Sequence, residues 1–360
     1  MESFAIAKQK GAVFRLGPEL EITGYGCNDH FLEIDTINHS FQVLAKLLVA
    51  PECQNIIGDV GMPILHNGVL YNCRVYFFNG KILLIRPKKF LANDGNYREL
   101  RWFSSWTKDR IVQDFFLPAI ISVLFNQTIA PFGDGVLKTP LATFGTELCE
   151  ELFTPSSPHI NLSLAGVEII SNASASHHEF QKLGRRVDLI REATLKCGGI
   201  YLYANQQGCD GERLYYDGSC LIIVNGAVIA QGSQFSFDDV QVLTATVDID
   251  QVSMYRAGMN SRSMQASTLA TPYPIIYEPI QVCNNTHSTL SPPISLKLLK
   301  PSEEIKYGPA CWLWDYLRRS KQNGFFLPLS GGIDSCSTAL IVWSMCEMVY
   351  KKFIESGILS

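Results

Sequence analysis

The chain has 360 residues, of which 47% are hydrophobic and 18% charged, and its formal net charge is −4. This composition is typical of a globular protein with a sizeable core, and the negative charge offers no basic surface to nucleic acid or to an anionic membrane. The longest apolar runs, such as Ala119–Phe125, are too short to span a bilayer. The sequence therefore predicts two domains, or one large domain with an extension, and no nucleic-acid or membrane partner.

The number and spacing of the cysteines indicate the redox state of the compartment in which the protein is found. The chain carries 11 cysteines, an odd number, with no Cys-x-x-Cys pair. Lys8 and Lys10 interrupt the apolar residues near the start, so nothing there has the pattern of a signal peptide. These features favour reduced thiols over a disulfide framework and predict a cytoplasmic protein.

The first third of the chain predicts helices that alternate with strands. Two Asn-Gly pairs, Asn67-Gly68 and Asn79-Gly80, allow positive φ at both turn positions and indicate hairpins. Glu19 comes just after a short buried strand, at the strand end where α/β folds place ligands. The predicted helices are 1–11 and His39–Ala50, and the predicted strands are Ala12–Leu16, Ile56–Leu65, Val69–Phe78 and Lys81–Arg86.

The middle of the chain continues the same alternation. One predicted strand leads towards Cys149, and a third Asn-Gly pair, Asn225-Gly226, indicates another hairpin. Together these elements predict an α+β or layered α/β body that extends to about Asp250. The predicted helices are Pro118–Asn126 and Glu179–Lys196, and the predicted strands are Val136–Phe144, Val167–Ser171, Gly199–Asn205, Ser219–Val224, Ala227–Gln231 and Val240–Ile249.

A second unit is predicted after a stretch rich in Pro, Ser, Thr and Asn, Met264–Ser295, which has the composition of a linker. The prediction for this unit is a helix over Tyr307–Arg319, a strand over Gly324–Leu329, a tight turn, and an apolar helix over Ser335–Phe353. One strand, one turn and one helix cannot bury their own apolar faces, so we expect this second unit to be incomplete.

Three residues with complementary chemistry each follow a predicted strand: Glu19, Lys88 and Cys149. A carboxylate can act as base for a thiol, and a lysine can hold a thiolate and the oxyanion that follows. Each also has an ordinary structural explanation: Glu19 as a surface or capping carboxylate, Lys88 as part of a solvated basic run, and Cys149 as an inert thiol. Pattern alone leaves these alternatives open.

The residues around these positions resemble known families. Pro18-Glu19-Leu20, then Lys88, then Glu147-x-Cys149-Glu150-Glu151 are similar to the Glu–Lys–Cys signature of the nitrilase superfamily. A closer resemblance, to the eukaryotic glutamine-dependent NAD+ synthetases, extends over essentially the whole chain. It rests on these motifs: Arg15–Glu21, Asn96–Glu99, Glu147–Leu152, Gly208–Gly211 and Ser330–Ser335.

The resemblance implies an α/β fold with a nitrilase-like αββα sandwich and a glutaminase activity on L-glutamine. Glu19 would be the general base, Cys149 the nucleophile, and Lys88 the cation that stabilises the oxyanion. The implied substrate-binding positions are Tyr97, Ser176, Lys182 and the backbone N–H of Glu150.

The resemblance also implies that the second unit starts a Rossmann-like adenine nucleotide alpha hydrolase domain with its first strand, loop and helix. Its loop would bind ATP, with Mg²⁺ carried by the phosphates, and the family uses ammonia to convert deamido-NAD+ to NAD+. The loop has no GxxxxGK[ST] spacing, so it is not a P-loop. The implied ATP-binding residues are Pro328, Leu329, Ser330, Gly331, Gly332, Ile333, Asp334 and Ser335.

This comparison predicts a domain division: a glutaminase domain over 1–262, a linker over 263–301, and the beginning of a synthetase domain over 302–360. Relative to the family pattern, we expect the chain to lack the first strand and most of the synthetase domain, and the full-length enzyme to be a homo-oligomer. Two alternatives stay open at this point. The chain could be a stand-alone nitrilase-type amidase, or an inactive truncated chain that associates with the full-length enzyme.

Overall fold

The computed structural model describes residues 1–210, 213–269, 271–281 and 288–355. The described residues form these α-helices: α1 (Glu2–Gln9), α2 (Ile34–Val49), α3 (Ala119–Phe125), α4 (Pro158–Leu164), α5 (Lys182–Cys197), α6 (Ile249–Ala257), α7 (Asn260–Ser267), α8 (Pro301–Ser320) and α9 (Ile333–Glu355). None of the helices in these ranges is long and apolar enough to cross a membrane.

In the part of the chain that the structure describes, the strands form two large sheets and one small one. The strands before Cys149 are β1 (Phe14–Leu16), β2 (Ile57–His66), β3 (Val69–Phe78), β4 (Lys81–Pro87), β5 (Val112–Phe116), β6 (Ile129–Gly133), β7 (Val136–Lys138) and β8 (Thr143–Leu148). Those after Cys149 are β9 (Ile169–Ser174), β10 (Ile200–Asn205), β11 (Gln207–Cys209), β12 (Tyr215–Asp217), β13 (Leu221–Val224), β14 (Ala227–Gln231) and β15 (Ile275–Tyr277).

Within the described residues, the first sheet has the order β1-β2-β3-β4-β6-β5 and the second β14-β13-β10-β9-β8-β7-β15, while β11 and β12 pair separately. The strands β8, β9 and β10 run parallel, so their carboxyl ends lie at one edge. That edge carries Cys149. The three Asn-Gly pairs have positive φ at both residues, as the predicted hairpins require.

Three hydrophobic layers show how the sheets are stacked. Between the sheets, Ile57, Tyr76 and Leu84 of the first pack with Leu137 and Phe144 of the second. The outer face of the first sheet is covered by α1, α2 and α3, and that of the second by α5. The result is the predicted αββα sandwich, built because each β-strand buries alternate side chains on opposite faces.

The last two helices pack on each other and on the sandwich. Lys306 of α8 forms an ion pair of 2.9 Å with Glu347 of α9. Asp315 of α8 accepts the N–H of Cys209 at 3.0 Å, and the buried Glu304 accepts the N–H of Gln181 at 2.9 Å. The second unit is therefore fixed to the first by charged side chains that accept backbone N–H groups.

Several predicted elements differ from the structure. The single strand predicted over Val136–Phe144 is a hairpin, β7 and β8, because Thr139 and Ala142 close a turn around a proline. Val240–Ile249 forms no strand: its first part runs beside a groove of about 650 Å³ next to β1, and Ile249 starts α6. Sequence pattern indicates an extended chain, but a strand also needs a ladder partner.

Two further differences concern the C-terminal part. Gly324–Leu329 is not a strand, and its apolar side chains are largely exposed, with Phe326 at 95%. Within the predicted linker, Ile275–Tyr277 forms β15 and pairs in parallel with β7. Four parts of the predicted units lie outside the described residues: 211–212, which include Gly211 of the Gly208–Gly211 motif, 270, 282–287 and 356–360.

Candidate active site

Glu19 lies three residues beyond β1, and its side chain is fully buried between the two sheets. Its Oε1 accepts hydrogen bonds from Lys88 Nζ at 2.6 Å and from Asn72 Nδ2 at 2.8 Å. Its Oε2 accepts the backbone N–H of Ala175 at 3.2 Å. Glu19 is thus a buried carboxylate held by donors from three separate strands or loops, and a surface or capping role is excluded.

Lys88 directly follows β4 and is also fully buried. Its ammonium group donates to Glu19 Oε1 at 2.6 Å and to Glu99 Oε1 at 2.7 Å. Burial favours the neutral amine, but the two carboxylates outweigh it and hold the pKa of Lys88 above its usual range. Lys88 therefore carries a fixed positive charge inside the protein and is not part of a solvated basic face.

Cys149 directly follows β8 and starts a 3₁₀ turn, Cys149–Leu152. Its φ of 36° is unusual for a residue with a side chain. Burial, together with the negative charge of Glu19, raises the pKa of the Cys149 thiol to about 12, while Lys88 opposes the shift. The structure thus brings Cys149, Glu19 and Lys88 into one electrostatic environment, although they are far apart in sequence.

Glu99 is a fourth charged residue at this site, and the sequence reasoning gave it no role. Besides Lys88, its carboxylate accepts Tyr25 Oη–H at 2.6 Å and the Ala92 N–H at 3.1 Å. Burial raises the pKa of Glu99 to about 7, against the effect of Lys88. Glu99 follows no strand, and its only sequence signal is its place at the end of the Asn96–Glu99 motif.

The acidic residues beside Cys149 have separate structural partners. Glu151 accepts two hydrogen bonds from Arg86 Nη1 at 2.6 Å and one from the Leu148 N–H at 2.8 Å. Glu147 is bound by His159, whose Nδ1 lies 2.9 Å from Glu147 Oε2. After burial, the largest charge effects on the pKa of Cys149 come from Glu19, Lys88 and Glu99, and not from the adjacent acidic run.

Two of the predicted substrate-binding residues lie together on one side of this centre. The Tyr97 hydroxyl donates to the Ala175 carbonyl oxygen at 3.4 Å and accepts the His177 N–H at 3.2 Å, and its ring stacks on His177 with centroids 4.9 Å apart. Lys182 Nζ lies 5.5 Å from the centroid of the same ring. Lys182 also pairs with Glu179 at 2.9 Å, so its charge is partly engaged.

The other two predicted substrate-binding residues, Ser176 and Glu150, have polar groups with unused hydrogen-bonding capacity within the described residues. Ser176 is buried, and its Oγ has no hydrogen-bond partner among the described residues. Glu150 is half-buried, and burial raises the pKa of its carboxyl group. As the second residue of the 3₁₀ turn, Glu150 has a backbone N–H that cannot pair within the turn.

The predicted ATP loop is a separate feature. Residues 330–334 are exposed, and Gly331 has a φ of 83°. The hydrogen bonds of the loop are internal: Ser330 Oγ lies 3.2 Å from Ser335 Oγ and accepts the Gly332 N–H at 3.3 Å. Residues 330–332 immediately precede the 23-residue helix α9, and Ile333, Asp334 and Ser335 form the start of that helix. In the described ranges, no group of three or more His, Cys, Asp or Glu side chains is placed to hold a metal ion.

Comparisons with known proteins identify the family to which the chain belongs. A family model described as carbon-nitrogen hydrolase matches residues 1–257, which is more than half of the chain. The chain belongs to the carbon-nitrogen hydrolase family. Its nitrilase-like fold is shared by a carbon-nitrogen hydrolase from Helicobacter pylori, with a TM-score of 0.52 and 17% identity over 70% of this chain and 83% of that one.

The chain also shares high sequence identity with proteins about twice its length. It is 58% identical, over 99% of its length, to a glutamine-dependent NAD(+) synthetase of Macaca fascicularis, and 55% identical, over 97%, to that of Saccharomyces cerevisiae. The chain spans about half the length of these relatives, 51% and 50%. A crystal structure of a glutamine-dependent NAD(+) synthetase from Cytophaga hutchinsonii has a TM-score of 0.73 and 27% identity, over 96% of this chain and 47% of that one. The resemblance inferred from the motifs is confirmed.

Proposed function

We propose that this carbon-nitrogen hydrolase cleaves the side-chain amide of L-glutamine through a thioester on Cys149. The observation that carries the proposal is the convergence of a buried carboxylate, a buried ammonium group and a buried thiol: Lys88 Nζ lies 2.6 Å from Glu19 Oε1, and the charges of both act on Cys149. Similarity to relatives that are named glutamine-dependent supports glutamine as the amide.

The first half-reaction follows from the protonation states. Because the pKa of Cys149 is raised to about 12, the thiol is protonated near neutral pH, and a base must remove its proton as it attacks. Glu19 accepts that proton while the sulfur–carbon bond forms. It then passes the proton to the amide nitrogen as the carbon–nitrogen bond breaks and ammonia leaves.

The oxyanion formed during attack needs fixed donors. Lys88 supplies a permanent charge, and the Glu150 N–H supplies a backbone donor that the turn leaves unpaired. The Cys149 N–H is already used, because it donates to Asn172 Oδ1 at 3.2 Å. In the second half-reaction, Glu19 removes a proton from a water molecule as the water oxygen attacks the thioester. The carbon–sulfur bond then breaks, glutamate leaves, and Glu19 returns the proton to the thiolate of Cys149.

The predicted substrate-binding residues have roles in this scheme. Ser176 Oγ is a buried hydroxyl that lacks a partner among the described residues, which suits a group that binds the amino-acid end of glutamine. Tyr97 closes the same side of the site. Lys182, above the Tyr97 ring, is a cation for the substrate carboxylate, although it cannot make the bidentate contact of an arginine.

We further propose that the ammonia is used to amidate deamido-NAD+ to NAD+ in an ATP-dependent step. Support comes from the names of the relatives and from the Ser330–Ser335 loop, whose glycines and following helix suit a phosphate. Mg²⁺ would arrive with the ATP phosphates. The chain matches only half of the relatives' length, so the ATP-dependent step is proposed by analogy with those longer proteins.

The domain division, 1–262, 263–301 and 302–360, is proposed on the same basis, although β15 ties the middle segment to the hydrolase unit. The cytoplasmic location and the homo-oligomer also stay predictions. The ten cysteines within the described ranges are all free thiols.

The proposal is tested by measuring ammonia release from L-glutamine, L-asparagine and a simple aliphatic amide, each with and without ATP and deamido-NAD+. We expect glutamine to be the preferred substrate. Equal or faster cleavage of simple amides would favour a stand-alone amidase. No release from any amide by the folded protein would favour an inactive chain that associates with a longer one.

A further inference from the structure

The backbone of Cys149 is held by a side chain that takes no part in the proposed chemistry. The Cys149 N–H donates to Asn172 Oδ1 at 3.2 Å, and the Ser174 hydroxyl donates to the same oxygen at 2.8 Å. Cys149 has a φ of 36°, a conformation that costs energy in a residue other than glycine. The Asn172 carbonyl oxygen is therefore one of the contacts that stabilise an unfavourable backbone at the proposed nucleophile.

The orientation of the Asn172 amide is fixed from its other side. Asn172 Nδ2 donates to the Tyr201 hydroxyl oxygen at 2.8 Å, and the Tyr201 hydroxyl donates to Glu147 Oε1 at 2.6 Å. An ionised carboxylate only accepts hydrogen bonds, so the Tyr201 proton is committed to Glu147. The remaining lone pairs of the hydroxyl then face Asn172, and the amide must turn its NH₂ group towards Tyr201 and its oxygen towards Cys149.

Glu147 is itself held in place. It is fully buried and accepts the His159 backbone N–H at 2.7 Å and the His159 ring nitrogen Nδ1 at 2.9 Å. Burial favours the protonated form of Glu147, but the charge of His159 and the hydrogen bonds from His159 and Tyr201 outweigh it and lower the pKa of Glu147, which keeps it an acceptor. Glu147 and Asn172 are directly paired on the parallel strands β8 and β9, so both side chains lie on one face of the sheet.

We propose that Glu147, Tyr201 and Asn172 form a positioning chain that holds the Cys149 backbone in the conformation from which its thiol attacks the substrate amide. The inference rests on the proposed glutaminase function and extends it. None of the three residues contacts the proposed reacting atoms, so they are positioning residues. Breaking the chain frees the Asn172 amide to rotate, and a rotated amide presents an N–H to the Cys149 N–H.

Tyr201→Phe is the most direct test, because it removes one hydroxyl and leaves the ring in the core. We expect kcat for L-glutamine to fall about tenfold while KM changes less than about twofold. Hydrogen exchange of the backbone amides in the segment 148–152 should become faster by about the same factor. Tyr76→Phe is the matched control. The buried Tyr76 hydroxyl contacts Ser171 of β9 at 2.8 Å and also Thr146 of β8, but it is not part of the positioning chain.

Ser174→Ala provides a second, milder change. It removes the other donor to Asn172 Oδ1 without creating a large cavity, and we expect kcat to fall about threefold with KM unchanged. This variant decides the question if Tyr201→Phe does not fold. For both variants, thermal unfolding relative to Tyr76→Phe separates a loss of stability from a loss of turnover.

The outcomes are distinct. If the unaltered protein releases no ammonia, the proposed function fails, and the exchange measurement still tests the positioning chain. If the protein is active, the inference is overturned when the folded variants keep kcat and the exchange rates of the parent. It is equally overturned when Tyr201→Phe raises KM alone, because Tyr201 would then act in substrate binding.

Discussion

Lys88 and Glu19 lie 69 positions apart in the sequence, yet their Nζ and Oε1 atoms are 2.6 Å apart in the interior. Glu99 contacts the same ammonium group at 2.7 Å. The buried centre therefore holds one positive charge between two carboxylates, and the thiol of Cys149 experiences all three. Lys88 therefore balances two carboxylates inside the protein, and under the proposed function it would also be required for the chemistry.

Replacing Lys88 by Met should lower kcat for glutamine by at least about 100-fold, because the oxyanion loses its charged donor. The variant should also lose roughly 3–5 kcal/mol of unfolding free energy, since two buried carboxylates lose their counter-charge. Ammonia release and urea unfolding measure the two effects. The control is Lys89→Met, the next residue, which pairs with Asp109 and Asp134. Comparable kcat values for the two variants would contradict the role of Lys88.

Ser176→Ala should separate binding from stability. The hydroxyl has no partner among the described residues, so its removal should leave the melting temperature unchanged or slightly raised. If Ser176 binds the substrate, KM for glutamine should rise about tenfold with little change in kcat. Ser157→Ala is a useful contrast, because that buried hydroxyl donates to the Leu152 and Thr154 carbonyl oxygens. It should lose about 1 kcal/mol of stability and keep its KM.

The pH dependence of stability should report on Glu99. Burial raises the pKa of its carboxyl group from 4.5 to about 7 in the folded protein, so folding favours the protonated form. The stability that this group contributes is therefore fully present below pH 4.5 and is lost as the pH rises through 7. Glu99→Gln cannot titrate. The unfolding free energy of the parent relative to this variant should fall over that interval, as measured by urea unfolding at several pH values.

Glu192→Gln serves as the control for that series, because Glu192 is exposed and forms a weak surface pair with Lys196 at 3.5 Å. Its stability should follow that of the parent at every pH. Parallel curves for the parent and Glu99→Gln would show that Glu99 keeps an ordinary pKa in the folded state.

Much of the site could be predicted because its chemistry follows strand ends. Lys88 and Cys149 come directly after β4 and β8, and Glu19 comes shortly after β1. All three therefore lie at the carboxyl ends of strands, where α/β folds place their ligands. The hairpins were also predictable, because Asn-Gly pairs encode their turns locally.

Other features depend on contacts that sequence does not show. Glu99 is part of the buried charged centre because it accepts hydrogen bonds from Tyr25, which is 74 positions away, and from Lys88. In the sequence, its place in the Asn96–Glu99 motif is the one sign of this. Gly324–Leu329 and Val240–Ile249 have strand-like composition, but no neighbouring strand pairs with them in the described ranges. Glu147 looked like one more acid beside the thiol, whereas its carboxylate binds His159 and Tyr201.

The central claim is that Cys149 forms the covalent bond to the substrate. The most direct measurement is mass spectrometry of the protein quenched in acid during turnover of L-glutamine, with peptide mapping of the adduct and ammonia release assayed in parallel for Cys149→Ala. We predict a glutamyl thioester on Cys149 in the parent, and no adduct and no ammonia from the variant. An adduct on another residue, or ammonia release that survives Cys149→Ala, would contradict the account.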